Sequence, residues 1–388
     1  MGNKRVFFDV VNSVKGGSGK STFSLLLAAY CNSDQYKTGE DPEKSRHAQA
    51  YIIDLDFCGT SWEMNYGLYI RTDYWRDNAA LQTRSSKAHS EYPFINNLLW
   101  DYKKYCSKSF WSHISFANKK TDDFDRDQST LPKILLCPAR TDQRSTVDQI
   151  EVDMFEHTIE RIILDILKTH HSDSEVDDVH IILDMPPSYE KHAEAILKHL
   201  LTSQNSKLFQ ASMDKTGLFY KDENEKTQNY YEPYVINLFM LNSISRAHIE
   251  QNSVYLYNWF QNMEYSSVVT YLMQNKRFKI RYILNDICDI MRKGDRSLQQ
   301  ICMDLENPDE DGFSAHLKKT RDFVVKKGES VFSIKGVEHL AFSAETEIFL
   351  GKKSEQQLKI PDEALQAIKS ATEELILTDE ETKNGDER

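Results

Sequence analysis

One short segment constrains this chain more than any other feature: KGGSGKST at residues 15–22, set between the apolar runs RVFFDVV at 5–11 and FSLLLAAYC at 23–31. An apolar run rich in β-branched and aromatic residues, a glycine-rich bend and a longer apolar run read in order as strand, loop and helix. Glycine at 16, 17 and 19 lets backbone N–H groups turn inward, and a helix starting at Lys20 adds its own N-terminal N–H groups. Such a bend is an anion cradle. In a loop of this kind the amides of Gly16, Gly17, Ser18 and Gly19 hold a β-phosphate. Lys20 reaches the β- and γ-phosphates, the Ser21 hydroxyl coordinates Mg²⁺, and Thr22 adds a phosphate contact. The commoner form of the loop has glycine at position 14, where this chain has Val14 and then Lys15.

Beyond the loop the pattern repeats. Buried-strand candidates are AYIIDLD at 50–56, KILLCPA at 133–139, DVHIILD at 178–184, YVINLFML at 234–241 and FKIRYILND at 278–286. They alternate with the helix-like stretches FINNLLWDYKKY, VDMFEHTIERIILDILKTH, EKHAEAILKHLL and SRAHIEQNSVYLYNWFQ. Continuous apolar strands alternating with amphipathic helices predict a doubly wound α/β fold, with a mostly parallel sheet and helices on both faces. Two stretches fit poorly and read as insertions: 62–130, rich in aromatics and charges, and 204–233, which includes KDENEKTQNYY. The expectation is one nucleotide-binding domain over 1–350 carrying both insertions, then an acidic helical tail over 351–388 whose end is disordered.

Composition excludes several classes. With 40% hydrophobic and 28% charged residues, and 14 Gly plus 9 Pro in 388, the chain is neither fibrous nor low in complexity. Its net charge of −12 repels nucleic acid and anionic lipid unless a local basic patch intervenes. No apolar run approaches the length of about 18 residues that a membrane span needs, and the start MGNKRVFFDVVN lacks a secretory layout, so a soluble cytoplasmic protein is expected. The six cysteines include no Cys-x-x-Cys pair and read as buried thiols, not as a disulfide framework or a cysteine zinc or iron–sulfur site. The pair His170 and His171 reads as a helix end.

KGGSGK, with its extra lysine, resembles the deviant Walker A motif of the ParA/MinD family of ATPases. YIIDLDFCGTS at 51–61 is similar to the family's switch I strand and loop, IILDMPPS at 181–188 to its Walker B and switch II, and KILLCPAR to the strand between them. All four motifs precede residue 190 and stand in the family order; the last third resembles the family more loosely. Chemically, Asp184 at the carboxyl end of an apolar strand suits the Mg²⁺ shell, with Asp54 near the metal. Asp56, just beyond a strand end, suits the orientation of the attacking water, and it matches the family's catalytic aspartate. The alternative for Asp54 and Asp56 is that they cap a strand turn. The resemblance implies that Lys15 crosses a dimer interface to the partner's nucleotide, so that ATP binding favours a homodimer and a protein partner stimulates hydrolysis. It also implies that an asparagine ending a late strand reads adenine: Asn285, with Asn242 as the alternative.

The biological task stays open among three readings. A ParA-like ATPase would partition or position DNA or a protein complex; a regulatory ATPase subunit would control a partner protein in a mobile-element or defence system without touching DNA; a catalytically silent scaffold would only bind nucleotide. Six bases against two acids over 318–335 offer a patch for non-specific DNA. The ending ALQAIKSATEELILTDEETKNGDER is not the basic amphipathic helix of the membrane-seeking branch, so no membrane partner is expected. Nine acids against three bases over 362–388 carry half of the chain's excess negative charge.

Overall fold

The structure is a computed structural model. It describes residues 4–14, 16, 18–33, 36, 46–56, 70–71, 95, 112–114, 134–137, 152–170, 175–187, 191–203, 206–208, 218–221, 227–242, 246–261, 277–285, 315, 318–319, 332–337, 365–366, 368–369 and 372. Its centre is strand β1 (Arg5–Asn12), all eight residues of which are buried. The other strands are β2 (Ala48–Asp54), β3 (Ile70–Arg71), β4 (Ser112–Ile114), β5 (Ile134–Cys137), β6 (Asp178–Asp184), β7 (Leu218–Lys221), β8 (Thr227–Tyr231), β9 (Val235–Asn242), β10 (Phe278–Asn285) and β11 (Phe332–Val337). Among the described residues the long helices are α1 (Lys20–Cys31), α2 (Val152–His170), α3 (Lys191–Thr202) and α4 (Arg246–Gln261).

Nine strands form one sheet in the order β11, β10, β9, β1, β6, β2, β5, β4, β3. From β11 to β5 every pairing is parallel; β4 and β3 add an antiparallel edge. Strands buried on both faces need no polar alternation, which is why they appear in the sequence as unbroken apolar runs. The pleat assigns the two faces. Phe7 stacks on His180 beside Tyr36, which meets Tyr30 of α1, and Phe239 of β9 meets Phe23 of α1. Phe8, one residue on, points the other way to Tyr234, whose hydroxyl donates to the Leu200 carbonyl of α3. Tyr51 meets His170 at the end of α2, and the Tyr282 hydroxyl donates to the Ile249 carbonyl of α4. Helix α1 therefore covers one face, and α2, α3 and α4 cover the other.

This is the doubly wound, mostly parallel sheet that the alternation predicts. Strand β2 ends at Asp54, which puts Asp56 in the loop beyond it. The stretch 62–130 contributes β3 and β4 to the sheet edge next to β5, too short for a periodic signal to reveal. Within 204–233, β7 and β8 form a separate two-stranded antiparallel sheet; its far end returns to β1, where the Glu232 amide donates to the Lys4 carbonyl. Cys31 is a buried free thiol, as read, and burial pushes its pKa up. Of the acidic tail, residues 365, 366, 368, 369 and 372 are helical, with Ile368 and Thr372 buried; the end of the tail lies outside the described residues. So do most of FINNLLWDYKKY and most of the basic stretch 318–335.

Candidate nucleotide site

Three neighbouring strands finish at one level. In register, Val11 of β1 lies beside Asp184 of β6, and Asp184 lies beside Asp54 of β2. The ladder runs one step further: the Met185 amide donates to the Val11 carbonyl at 3.0 Å, and the Leu55 amide to the Asp184 carbonyl at 2.9 Å. The carboxyl ends of parallel strands, where β1 hands over to its helix, are where folds of this kind place ligands.

The chain leaves β1 through Ser13 and Val14 and re-enters regular structure at Gly19, the residue capping α1. Gly19 has φ 86° and ψ 18°, the left-handed conformation that glycine alone adopts without strain, so a side chain here would strain the turn that aims the helix. Helix α1 has no acidic residue in its first turn, which leaves its positive end to attract an anion from outside. Thr22 is buried and Ser21 half-buried in that first turn; Ser18 is buried and Gly16 exposed in the loop. Lys15 and Gly17 lie outside the described residues.

Lys20 is 7% exposed, and Asp54, Asp56 and Asp184 are exposed by 1%, 7% and 0%. Burial pulls the Lys20 pKa below its ordinary value, opposed by the charges of Asp184, Asp56 and Asp54 in that order. Residues 20, 54, 56 and 184, far apart in sequence, thus share one electrostatic environment, with three carboxylates facing one ammonium. The Asp56 amide donates to Asp54 Oδ1 at 3.0 Å, so Asp54 does close the turn after β2, the capping role weighed above, while still facing Lys20.

A divalent cation fits this donor set. The Ser21 hydroxyl with the carboxylates of Asp54 and Asp184 supplies hard oxygen ligands, the chemistry Mg²⁺ selects, and the surplus of carboxylate over ammonium charge favours a cation. Bound there, Mg²⁺ would neutralise charge on phosphate oxygens.

The sequence reading missed the groups that hold the loop's entrance. From α4, His248 Nε2 lies 3.0 Å from Ser13 Oγ, and Asn252 Oδ1 accepts the Val14 amide at 2.8 Å. Asn252 Nδ2 donates to the Leu241 carbonyl at 3.0 Å and to Asn242 Oδ1 at 2.5 Å. One asparagine thereby ties the phosphate loop to the end of β9. Asn252→Leu should cost about 1–3 kcal/mol, because the Val14 amide and the Asn242 carbonyl lose their buried partner. It should also raise the KM for nucleotide more than it changes kcat. Urea unfolding and steady-state kinetics check the two parts.

The same contacts bear on the adenine-reading alternatives. Asn242 is fully buried; its amide donates to the Met240 and Ile283 carbonyls, and its oxygen accepts from Asn252. It acts as a brace between β9, β10 and α4. Asn285 is the last residue of β10, at the same end of the sheet as the loop.

No family model and no curated protein matches this sequence. Solved structures do. The MinC:MinD cell division protein complex of Aquifex aeolicus is similar at 14% identity and TM-score 0.41, over 96% of this chain and 95% of that one. The pNOB8 ParA structure is similar at 12% identity and TM-score 0.43, over 98% and 92%. The cell division ATPase MinD of Pyrococcus furiosus is similar at 11% identity and TM-score 0.39, over 96% and 100%. Likeness at this level carries no function across. Among the described residues no helix is long and apolar enough to cross a membrane.

Proposed function

We propose that this chain is a Mg²⁺-dependent ATPase of the ParA/MinD kind, in which ATP favours a homodimer and hydrolysis releases it. The observation that carries this reading is Lys20, buried at the start of α1 behind a left-handed glycine and facing Asp54, Asp56 and Asp184 at the ends of β2 and β6. Lys20 and the loop amides hold the β- and γ-phosphates, and Ser21, Asp54 and Asp184 hold the metal. Asp56 orients the water attacking the γ-phosphate, and Asn285 reads adenine. Lys15 reaches the nucleotide of the partner subunit, where a cation on the developing charge is worth about 10³ to 10⁵ in rate.

The role we assign is partitioning or positioning, with a protein partner that stimulates hydrolysis and non-specific DNA as the surface acted upon. The basic stretch 318–335 supports the DNA part.

Size-exclusion chromatography with ADP and with ATP tests the switch. The parent should dimerise in ATP, Lys15→Ala should lose the dimer, and Asp56→Ala should hold it because the nucleotide persists. Identical profiles for all three would sink the ATP-switched dimer in which Lys15 reaches the partner's nucleotide. Added DNA should bind in ATP with a steep negative dependence of log affinity on log salt; no binding in ATP would leave a protein partner as the target.

A further inference from the structure

A second cluster of ligating groups lies between α2 and α3. His157 and Glu160, three residues apart, share one face of α2, and His199 comes from α3. One ligand atom from each of the three lies within 4.8 Å of those of the others. Glu160 and His199 are 5% and 3% exposed, whereas His157 is exposed.

The spacing is informative. His199 Nε2 lies 3.3 Å from Glu160 Oε2. Two ligand atoms on a tetrahedral ion with bonds of about 2.0–2.1 Å stand about 3.3 Å apart. The neighbours complete the pattern. The second ring nitrogen of His199, Nδ1, faces Glu156 Oε2 at 3.3 Å, the carboxylate–histidine arrangement that orients a metal-bound imidazole. The second oxygen of Glu160, Oε1, accepts from Ser206 Oγ at 2.7 Å and from the Leu208 amide at 3.1 Å, which leaves Oε2 directed at the cluster. The rings of His157 and His199 are edge to face at 5.4 Å.

We infer that His157, Glu160 and His199 form a binding site for Zn²⁺ or a similar transition-metal ion, with three protein ligands and a fourth position open toward the exposed His157 side. Two imidazoles and a carboxylate suit zinc far better than magnesium. The site is separate from the oxygen-lined one at the phosphate loop. It would pin together the helices before and after β6, the strand that carries Asp184.

The test uses the untagged full chain, stripped with EDTA and titrated with Zn²⁺ against a chromophoric chelator. One equivalent should bind. His157→Ala, a change at an exposed position that leaves the fold intact, should weaken binding at least tenfold, as should Glu156→Gln through the orientation of His199. Asp184→Asn should leave the affinity unchanged. Co²⁺ in place of Zn²⁺ should give the intense visible bands of a tetrahedral site in the parent and lose them in His157→Ala. Absence of Zn²⁺ binding, or equal affinity in the parent and His157→Ala, overturns the assignment and leaves His199 as a plain link between two glutamates.

Discussion

Lys20→Met should lower ATP turnover by about 10³-fold or more, since the proposed mechanism sets its ammonium against the transferring phosphoryl group; that corresponds to about 4 kcal/mol or more of transition-state stabilisation. The same change has a second consequence that needs no nucleotide. Lys20 faces Asp54, Asp56 and Asp184, all buried. Its loss leaves three carboxylates repelling one another and should destabilise the free protein by about 3 kcal/mol at neutral pH. Asp184→Asn predicts the opposite combination: turnover is lost because the proposed metal ligand is gone, but the free protein is as stable as the parent or more so, because repulsion is relieved. Steady-state hydrolysis and urea unfolding at about pH 7 read both effects. Turnover within tenfold of the parent in Lys20→Met would remove Lys20 from the site.

The meeting of these strand ends with the glycine loop was legible in the sequence. Each strand end that meets at the loop is announced locally. RVFFDVV stops at a glycine bend, AYIIDLD and DVHIILD stop at aspartates, and a parallel sheet brings such ends to one level. Helix α1 was legible because FSLLLAAYC is apolar on every side, the signature of a helix buried all round. What the sequence hid is what pairs across distance. Asn252 and His248 are ordinary polar residues of an amphipathic-looking helix, and nothing near them indicates that they hold residues 13 and 14. That Asn242 is tied to Asn252 of α4 is likewise a tertiary fact that its own neighbours in sequence do not announce. Strands β3 and β4 have two and three residues, below the length at which alternation carries information. His157, Glu160 and His199 look scattered until two helices pack together.

Asp178→Asn should destabilise the protein by about 3–5 kcal/mol at pH 7, the cost of leaving a buried cation without its counter-charge. Asp178 opens β6 at the end of the sheet away from the site, fully buried. Arg5 grips it with two hydrogen bonds, Nε to Oδ1 at 2.9 Å and a terminal nitrogen to Oδ2 at 2.6 Å, while Arg46 Nε donates to Oδ1 at 3.0 Å and the Tyr36 hydroxyl to Oδ2 at 2.8 Å. Burial alone would raise the Asp178 carboxyl, but hydrogen bonding and charge from Arg5, then the charges of Arg46 and His180, outweigh it and hold the pKa below its ordinary value of 3.8. A depressed carboxylate contributes stability above its unfolded pKa and loses it as pH falls through the folded value. The parent should therefore lose stability below about pH 4 more steeply than Asp178→Asn, which has no such proton to take up. Asp184 lies six positions further along the strand, about 20 Å at the usual rise, so kcat of the folded Asp178→Asn protein should match the parent. Arg5→Met combined with Asp178→Leu should recover most of the loss, since an apolar pair of similar volume carries no desolvation penalty. Urea midpoints at pH 7 and pH 3.5 for the parent, the single variant and the double variant decide the matter. Equal acid sensitivity in the parent and Asp178→Asn would show that the clamp does not set the low-pH limit of the fold.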